Sequence, residues 1–127
     1  MPHITLQHSS NLQPRSEIKT LLGKLHDILH TIGGIKLENC KSRRVIFEEY
    51  LVGNGEPEHG FVHLDIRFIE GRDEQTKRSI GAKCNTILQQ EFLSAPDNDQ
   101  IQITVEVRDI LLADYHKYPE GTLTRQN

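Results

Sequence analysis

An α+β fold is predicted by the way the spacing of apolar residues changes along the chain: two β-α-β halves form one four-stranded sheet with two helices on one face. Apolar residues recur at every second position, then at helical intervals, then at every second position again, and this succession occurs twice. Glycine-containing segments separate several of these stretches. Each half is therefore expected to hold a strand, a crossover helix and a return strand.

The first half begins with a strand and a long amphipathic helix. Ile4 and Leu6 alternate with polar neighbours, which is typical of a half-buried strand. Pro14 is expected in the first turn of the helix, where its missing N–H is tolerated, and Gly33-Gly34 is expected to end the helix. Apolar side chains keep helical spacing between these points, at Ile18, Leu21, Leu22, Leu25, Ile28, Leu29 and Ile32.

The next two strands are predicted on either side of a glycine-containing turn. Residues 43–52 are rich in β-branched and aromatic side chains, so the return strand of the first half is expected there. Gly53-Asn54-Gly55 marks the turn that follows. The third strand is expected to begin near Phe61, with a core face made of Val62, Leu64, Ile66 and Phe68.

The second half continues with a helix and a last strand. Asp73 is expected to cap the helix, and Pro96-Asp97-Asn98-Asp99 is expected to close it. The buried stripe of this helix is predicted at Ile80, Cys84, Ile87, Leu88 and Phe92. Ile101, Ile103, Val105 and Val107 then alternate with polar residues as the last strand.

The other face of the sheet is expected to be polar and to contact further subunits. It is too polar for a second core layer, and the sheet edges of so small a domain are commonly covered by partners. We therefore expect a homo-oligomer. The predicted residues of this face are Thr5, Gln7, His63, Asp65, Arg67, Thr104 and Glu106.

Length and composition are typical of one globular domain, expected to span residues 1–127. The chain is 35% hydrophobic, which is enough for one modest core. The formal net charge is −3 with interspersed charges, so no cationic stripe indicates nucleic-acid binding. No apolar run is long enough to cross a bilayer and no signal pattern opens the chain, so a cytoplasmic protein without membrane contact is expected.

Metal binding is considered at the histidines and cysteines. Cys40 and Cys84 lie far apart without a second pair near either, which predicts neither a zinc site nor a disulfide framework. His26 and His30 are one helical turn apart, as in a zinc-protease helix, but Asp27 replaces the glutamate and no third ligand follows. A metal-dependent hydrolase therefore remains a weak alternative, and no metal site is expected.

Pro2 is the strongest candidate for chemistry. Removal of Met1 would leave Pro2 as the amino terminus, with a basic secondary amine that internal prolines lack. A terminal amine titrates near pH 8, and an apolar or cationic pocket lowers its pKa towards neutrality, where a general base works best. The alternative is that Pro2 simply begins a strand at a position where no ladder donor is needed.

These features together resemble a known family. Pro2-His3, Lys41-Ser42-Arg43, Phe61-Val62-His63 and Gly71-Arg72 occur in an order similar to that of the 5-carboxymethyl-2-hydroxymuconate delta-isomerases of the tautomerase superfamily. The resemblance covers nearly the whole chain. It implies a tautomerase-like fold, a homotrimer with active sites between subunits, and catalysis with neither a metal nor an organic cofactor.

The resemblance also implies roles for individual residues. Pro2 matches the catalytic base of the family, and Arg72 and Arg43 match arginines that bind the substrate. Lys41 stands where the family usually has arginine. An ammonium is a compact point charge and lacks the planar fork of a guanidinium, so Lys41 is expected to orient a carboxylate more loosely.

The implied reaction is the conversion of a 2-hydroxymuconate-type acid, such as 5-carboxymethyl-2-hydroxymuconate, to its 2-oxo isomer. Pro2 would remove the 2-hydroxyl proton and return a proton to a carbon of the conjugated chain. The cations would bind the carboxylates and stabilise the developing dienolate. The alternative is a non-catalytic oligomeric module of the same fold that binds an anionic metabolite.

Overall fold

The computed structural model describes residues 1–95, 99–119 and 121, and within them the predicted α+β architecture is confirmed. The strands are β1 (His3–Ser9), β2 (Lys41–Phe47), β3 (Gly60–Ile69) and β4 (Ile101–Ile110), and the helices are α1 (Ile18–Gly33) and α2 (Glu74–Phe92). The sheet order is β2-β1-β3-β4. The central strands β1 and β3 are antiparallel, and each pairs in parallel with the edge strand that its own helix leads to.

The core lies between the two helices and one face of the sheet. Ile4 and Leu6 of β1 and Leu64 and Ile66 of β3 have no exposed surface, so the predicted alternation is confirmed. Burial of each such side chain contributes about 1.5–3 kcal/mol. The helices contribute Leu21, Leu25, Leu29, Ile80, Cys84 and Leu88 to the same cluster.

The start of α2 is fixed by a capping residue. Asp73 accepts a hydrogen bond from the backbone N–H of Thr76 at 2.8 Å, which confirms the predicted N-cap. The loop between β3 and α2 therefore has a defined end, and Arg72 lies in it immediately before the cap. The segment proposed to close α2 includes Pro96, Asp97 and Asn98, which lie outside the described residues.

In the described part of the chain, neither helix combines the length and the apolar character needed to cross a membrane.

Pro14 lies before α1, so its predicted place in the first turn is wrong. The backbone donors of the two residues after it bond to the end of α2. Arg15 N donates to the Glu91 carbonyl at 2.9 Å, and Ser16 N donates to Glu91 Oε1 at 2.8 Å. This long-range contact holds the segment outside the helix, and α1 begins at Ile18.

The predicted bounds of β2 are also wrong, since the strand covers residues 41–47 rather than 43–52. The ladder of β1 supplies partners only as far as Ser9, which pairs with Phe47. Ser10 N then donates to the Phe47 carbonyl at 2.9 Å, and the chain leaves the sheet. The predicted turn is present, with left-handed φ values of 57° at Gly53 and 88° at Gly55.

Candidate active site

The open face of the sheet, which is turned away from the helices, carries an unusual concentration of positive charge at one end. His3 pairs with Lys41 of β2 on one side and with Arg67 of β3 on the other, and Arg67 pairs with Arg108 of β4. We call Lys41, His3, Arg67 and Arg108 the basic row. Like charges directly opposite each other destabilise a sheet, and Arg108, which lies opposite Arg67, is paired with Asp65 at 3.0 Å.

The amino terminus lies at the same end of the sheet. The Met1 side chain is 2% exposed, and the Met1 amino group donates to the Asn39 carbonyl at 3.2 Å. Lys41 Nζ donates to that same carbonyl at 3.0 Å, and the Lys41 backbone N–H donates to the Pro2 carbonyl at 3.2 Å. The structure therefore brings Lys41 next to Pro2.

This environment suits a neutral amine. Burial, together with hydrogen bonding and positive charge from Lys41, lowers the pKa of the Met1 amino group from 8.0 to about 5. Both causes disfavour the ammonium form, since one removes water and the other adds a like charge. The Met1 amino group is therefore neutral at pH 7, which is the form that a general base needs.

Arg43 lies on the open face, two residues beyond Lys41, and is bound to a histidine. Its Nη2 donates to His3 Nδ1 at 3.1 Å, and His3 Nε2 lies 2.8 Å from the Tyr115 hydroxyl. Burial, together with the positive charges of the amino terminus and Arg43, lowers the pKa of His3, which keeps the ring neutral at pH 7. No role is predicted for His3 from the sequence, although its alternation with Ile4 places it on the face that carries Arg67.

A cavity of about 590 Å³ opens beside this chain of hydrogen bonds. It lies on the open face and is closed at one side by the segment that follows β4. Its residues come from all four strands and from that segment. They are His3, Thr5, Arg43, Asp65, Arg67, Asp109, Ile110, Leu111, Asp114 and Tyr115.

Arg72 lies in the loop between β3 and α2 and lines a different cavity. Its Nε donates to the Gly33 carbonyl at the end of α1 at 2.8 Å, and its guanidinium lies 5.0 Å from the centroid of the Phe68 ring. Burial lowers the pKa of Arg72. The cavity of about 370 Å³ that it lines shares no residue with the cavity of about 590 Å³ lined by Arg43.

The two helical histidines have local hydrogen-bonding roles. His26 Nε2 lies 2.7 Å from Ser42 Oγ of β2, and His30 Nδ1 lies 2.8 Å from the Ile35 carbonyl just after α1. Among residues 1–95, 99–119 and 121, no group of three or more His, Cys, Asp or Glu side chains could hold a metal ion. These contacts favour a structural role for both histidines.

Comparison with known proteins gives the family. A family model described as 5-carboxymethyl-2-hydroxymuconate isomerase matches residues 2–119. The chain belongs to this family. The match covers both β-α-β halves and all four candidate residues, Pro2, Lys41, Arg43 and Arg72, so this family member is an isomerase.

Individual relatives agree with the assignment. The isomerase is 18% identical to the 5-carboxymethyl-2-hydroxymuconate Delta-isomerase of Escherichia coli over 110 residues, which cover 87% of each chain. It resembles the crystal structure of a 5-carboxymethyl-2-hydroxymuconate isomerase from Deinococcus radiodurans R1 with a TM-score of 0.80 and 28% identity, over 91% of this chain and 87% of that one. A structure described as a fused 4-OT symmetric trimer shares the fold, with a TM-score of 0.75 and 15% identity over 94% of both chains. These findings favour an isomerase over a non-catalytic binding module.

Proposed function

We propose that the isomerase converts a 2-hydroxymuconate-type acid to its 2-oxo isomer, with Pro2 as the base once Met1 has been removed. The observation that carries this proposal is the lowered pKa, about 5, of the amino group that now occupies this end of the sheet. Removal of Met1 places the Pro2 nitrogen one residue further along, still beside Lys41. The positive charge of Lys41 then favours the neutral form of the proline amine.

The proposed reaction moves one proton and leaves the molecular formula unchanged. The lone pair of Pro2 takes the proton of the 2-hydroxyl group, the oxygen forms the 2-oxo carbonyl, and the double bonds shift along the conjugated chain. The proline ammonium then gives a proton to the carbon at which the electron density arrives. One group thus serves as base and then as acid.

The cations of the candidate site support the charge distribution of this reaction. Lys41, Arg43 and Arg72 are the proposed substrate-binding residues, since each can donate charge-assisted hydrogen bonds to a carboxylate. Positive charge near the 2-oxo and carboxylate oxygens stabilises the dienolate as it develops. We propose that Arg72 acts on a site completed by a neighbouring subunit, because its own cavity is separate from that of Arg43.

The buried position of Met1 supports a cavity at Pro2 in the processed protein. Met1 is 2% exposed and therefore fills a buried space, and its amino group donates to the Asn39 carbonyl. Its removal opens this space directly in front of the proline nitrogen. A substrate group can then reach the nitrogen from the side that Met1 occupies.

A homotrimer in the cytoplasm is the proposed assembly. The neighbour described as a fused 4-OT symmetric trimer has this fold along nearly its whole length. The open face carries unpaired charge, and the edge strand β2 exposes Val45 and Phe47 at 40% and 36%. Both surfaces are suited to contacts between copies.

A ketonisation assay tests the proposal. Loss of the dienol absorbance of a 2-hydroxymuconate-type substrate is followed with Met-free protein, with Pro2→Ala and with protein that retains Met1, each verified by intact mass. Pro2→Ala keeps a terminal amine but not the ring that fixes its lone pair, and retained Met1 moves the amine one residue away, so both proteins are expected to be slower, by up to the about 10²–10⁴-fold that a general base contributes. Equal rates for the three proteins would exclude Pro2 as the base and would favour the non-catalytic binding module.

A further inference from the structure

Arg72 contacts both a backbone carbonyl and an aromatic ring after the chain leaves β3. Its Nε donates to the Gly33 carbonyl at 2.8 Å, and its guanidinium carbon lies 5.0 Å from the centroid of the Phe68 ring. Gly71 has a φ of 128°, which favours glycine, and this turn brings Arg72 back over a ring near the end of β3. A cation over an aromatic face is attracted by the negative charge of the π system. Arg72 is therefore held from two sides.

Phe68 is the neighbour of Pro2 across the two central strands. His3 of β1 pairs with Arg67 of β3 in the antiparallel ladder, so one position further along places Pro2 opposite Phe68. The Lys41 N–H that donates to the Pro2 carbonyl shows that Pro2 still lies within the sheet. Because side chains alternate between faces, Pro2 and Phe68 lie on the core side, opposite the basic row. Pro2 is buried, and Phe68 has no exposed surface.

One aromatic ring therefore lies next to both the proposed base and a proposed substrate-binding arginine. The hydrogen bond to Gly33 fixes one N–H of Arg72 but leaves the guanidinium free to rotate about that bond. Contact with the face of Phe68 fixes the plane of the fork as well. A carboxylate binds a guanidinium through that plane, so the ring sets the direction from which Arg72 can grip an anion.

We propose that Phe68 is a positioning residue, whose ring fixes the plane of the Arg72 guanidinium so that a carboxylate bound there is aligned with Pro2. The inference rests on the proposed function, which assigns the base to Pro2 and substrate binding to Arg72. It adds a residue that acts through Arg72 and takes no part in the proton transfer. It also places Pro2 and Arg72 of one chain in the same site, which a neighbouring subunit completes.

Fluorination of the ring tests the proposal while nearly preserving its shape. Fluorine withdraws electron density from the ring face, so phenylalanines with one, two and three fluorines at position 68 weaken the attraction for the cation in steps. In the Met-free isomerase, the KM of a 2-hydroxymuconate-type substrate is expected to rise with each fluorine, by roughly 3- to 30-fold in total. The same series at Phe92, which packs on the ring of His8, is the control and should leave KM unchanged.

A double-mutant cycle separates positioning of Arg72 from packing of the core. Phe68→Leu should raise KM as the most fluorinated ring does, because it removes the aromatic face. In an Arg72→Gln background, Phe68→Leu should have no further effect on KM, since the guanidinium that the ring positions is absent. Chemical denaturation reports any loss of stability separately. The fluorinated proteins keep the proposal testable if Phe68→Leu does not fold.

Exchange of the Arg72 Nε proton with water gives a readout that does not depend on turnover. This proton is bonded to the Gly33 carbonyl and belongs to a half-buried side chain, so its exchange is expected to be slow. Weaker contact with the ring should accelerate exchange several-fold in the series at position 68 and in Phe68→Leu. Nuclear magnetic resonance measures the rate, and the series at Phe92 should leave it unchanged.

Four results would overturn the inference. KM could stay constant across the series at position 68, the exchange of the Arg72 proton could stay constant, or the effects of Phe68→Leu and Arg72→Gln on KM could add. The acidic limb of kcat/KM could also move in the fluorinated proteins, which would assign the ring to Pro2 rather than to Arg72. Failure of the proposed function is a separate result, because it appears as turnover that is absent or independent of Pro2. The exchange rate would then still show whether Phe68 holds Arg72.

Discussion

Lys41 is the residue at which the charge of the site and the basicity of its amine are coupled. Its ammonium shares the Asn39 carbonyl with the terminal amino group and helps to lower the pKa of that group. In the proposed mechanism Lys41 therefore has two effects, since it binds a carboxylate and also lowers the pKa of the base.

Lys41→Gln is expected to raise the pKa of the Pro2 amine in the processed isomerase. The base must be neutral, so kcat/KM rises with pH through this pKa, and a higher pKa moves the acidic limb of the profile to higher pH. At pH values below the wild-type limb the rate should fall about tenfold beyond any uniform loss. A pH series of kcat/KM measures this shift.

The pH at which the acidic limb lies distinguishes an effect of Lys41 on the pKa of the base from an effect on substrate binding. If Lys41 only binds a carboxylate, the whole profile falls while the limb stays in place. Lys36→Gln is the control, since Lys36 is exposed in the same connection between α1 and β2 and does not contribute to the lowered pKa of the terminal amine. An unmoved limb in Lys41→Gln would contradict the coupling.

His8 gives a prediction about stability. It has no exposed surface, its Nδ1 lies 2.8 Å from the Ser9 carbonyl, and its Nε2 has no hydrogen-bond partner among the described residues. Its ring packs on Phe92 with the centroids 5.1 Å apart. Burial lowers the pKa of His8, because a second proton would place a charge in the core.

The free energy of unfolding is therefore expected to fall as the pH is lowered below about 6.5, the ordinary pKa of histidine in the unfolded chain. Between this value and the lower folded pKa, the unfolded state binds more protons, which costs up to about 1.4 kcal/mol per pH unit for each group. Urea titrations at pH 7 and pH 5 measure the free energy of unfolding. In His8→Leu this free energy should depend less on pH than in wild type. His116 is exposed, so His116→Gln should keep the pH dependence of wild type.

At the residue scale, alternation within each strand was enough to assign side chains to faces. It placed Arg67 and Asp65 opposite the core before any pairing was known. It could not give the contact between His3 and Tyr115, which are 112 positions apart. Periodicity reports which face a side chain occupies, but the segment that covers this face depends on the path of the chain after the last strand.

At the scale of secondary-structure elements, Glu91 joins the start of α1 to the end of α2. Its carboxylate is 4% exposed and accepts from Ser16 N at 2.8 Å, Ser16 Oγ at 2.7 Å and Lys24 Nζ at 2.8 Å. Burial opposes the charge, but the bonds from Lys24 and Ser16 hold the pKa of Glu91 below its usual value. The acid thus stabilises the helix pair as a carboxylate.

Glu91→Gln is expected to lower the free energy of unfolding by about 1–3 kcal/mol, since it removes a charged acceptor and leaves donors incompletely bonded. Chemical denaturation measures the change. Glu74→Gln is the matched control, because its pair with Arg78 is 77% and 74% exposed, and a loss below about 1 kcal/mol is expected. Equal losses in the two variants would mean that the buried contact contributes nothing beyond a surface pair.

The same contact explains which element bounds were predictable. Strands β1 and β3 and helix α2 follow from spacing and one capping residue, because those signals are local. The start of α1 depends on Glu91, and the end of β2 depends on the length of β1. Both are set by partners distant in sequence, so propensity near Pro14 and after Phe47 gave the wrong bounds.

At the scale of the whole molecule, one end of the edge strand β2 carries an apolar surface. Phe47 and Tyr50 lie near Phe61, with ring centroids 6.1 and 6.3 Å apart for the Phe47–Phe61 and Tyr50–Phe61 pairs, and Leu51 is 76% exposed. We call Phe47, Tyr50, Leu51 and Phe61 the aromatic edge. An exposed edge strand with such a surface is suited to association, and the proposed trimer provides the partner.

Phe47→Glu is expected to shift the isomerase from the trimer towards the monomer at micromolar concentrations, because burial of a new carboxylate in the contact is unfavourable. Phe47 is 36% exposed within one chain, so the fold itself should persist, as circular dichroism can show. Sedimentation velocity measures the assembly. Ala82→Glu on the exposed side of α2 introduces the same charge away from the aromatic edge and should remain trimeric.

The activity of Phe47→Glu then links assembly to chemistry. Arg72 and Arg43 line different cavities in one chain, and the proposed site that uses both draws one of them from another copy. Monomeric Phe47→Glu should therefore keep a neutral Pro2 amine, detectable by its low pKa, yet lose most of its kcat/KM. Full activity in a folded monomer would show that a single chain completes the site and that Arg72 belongs to another function.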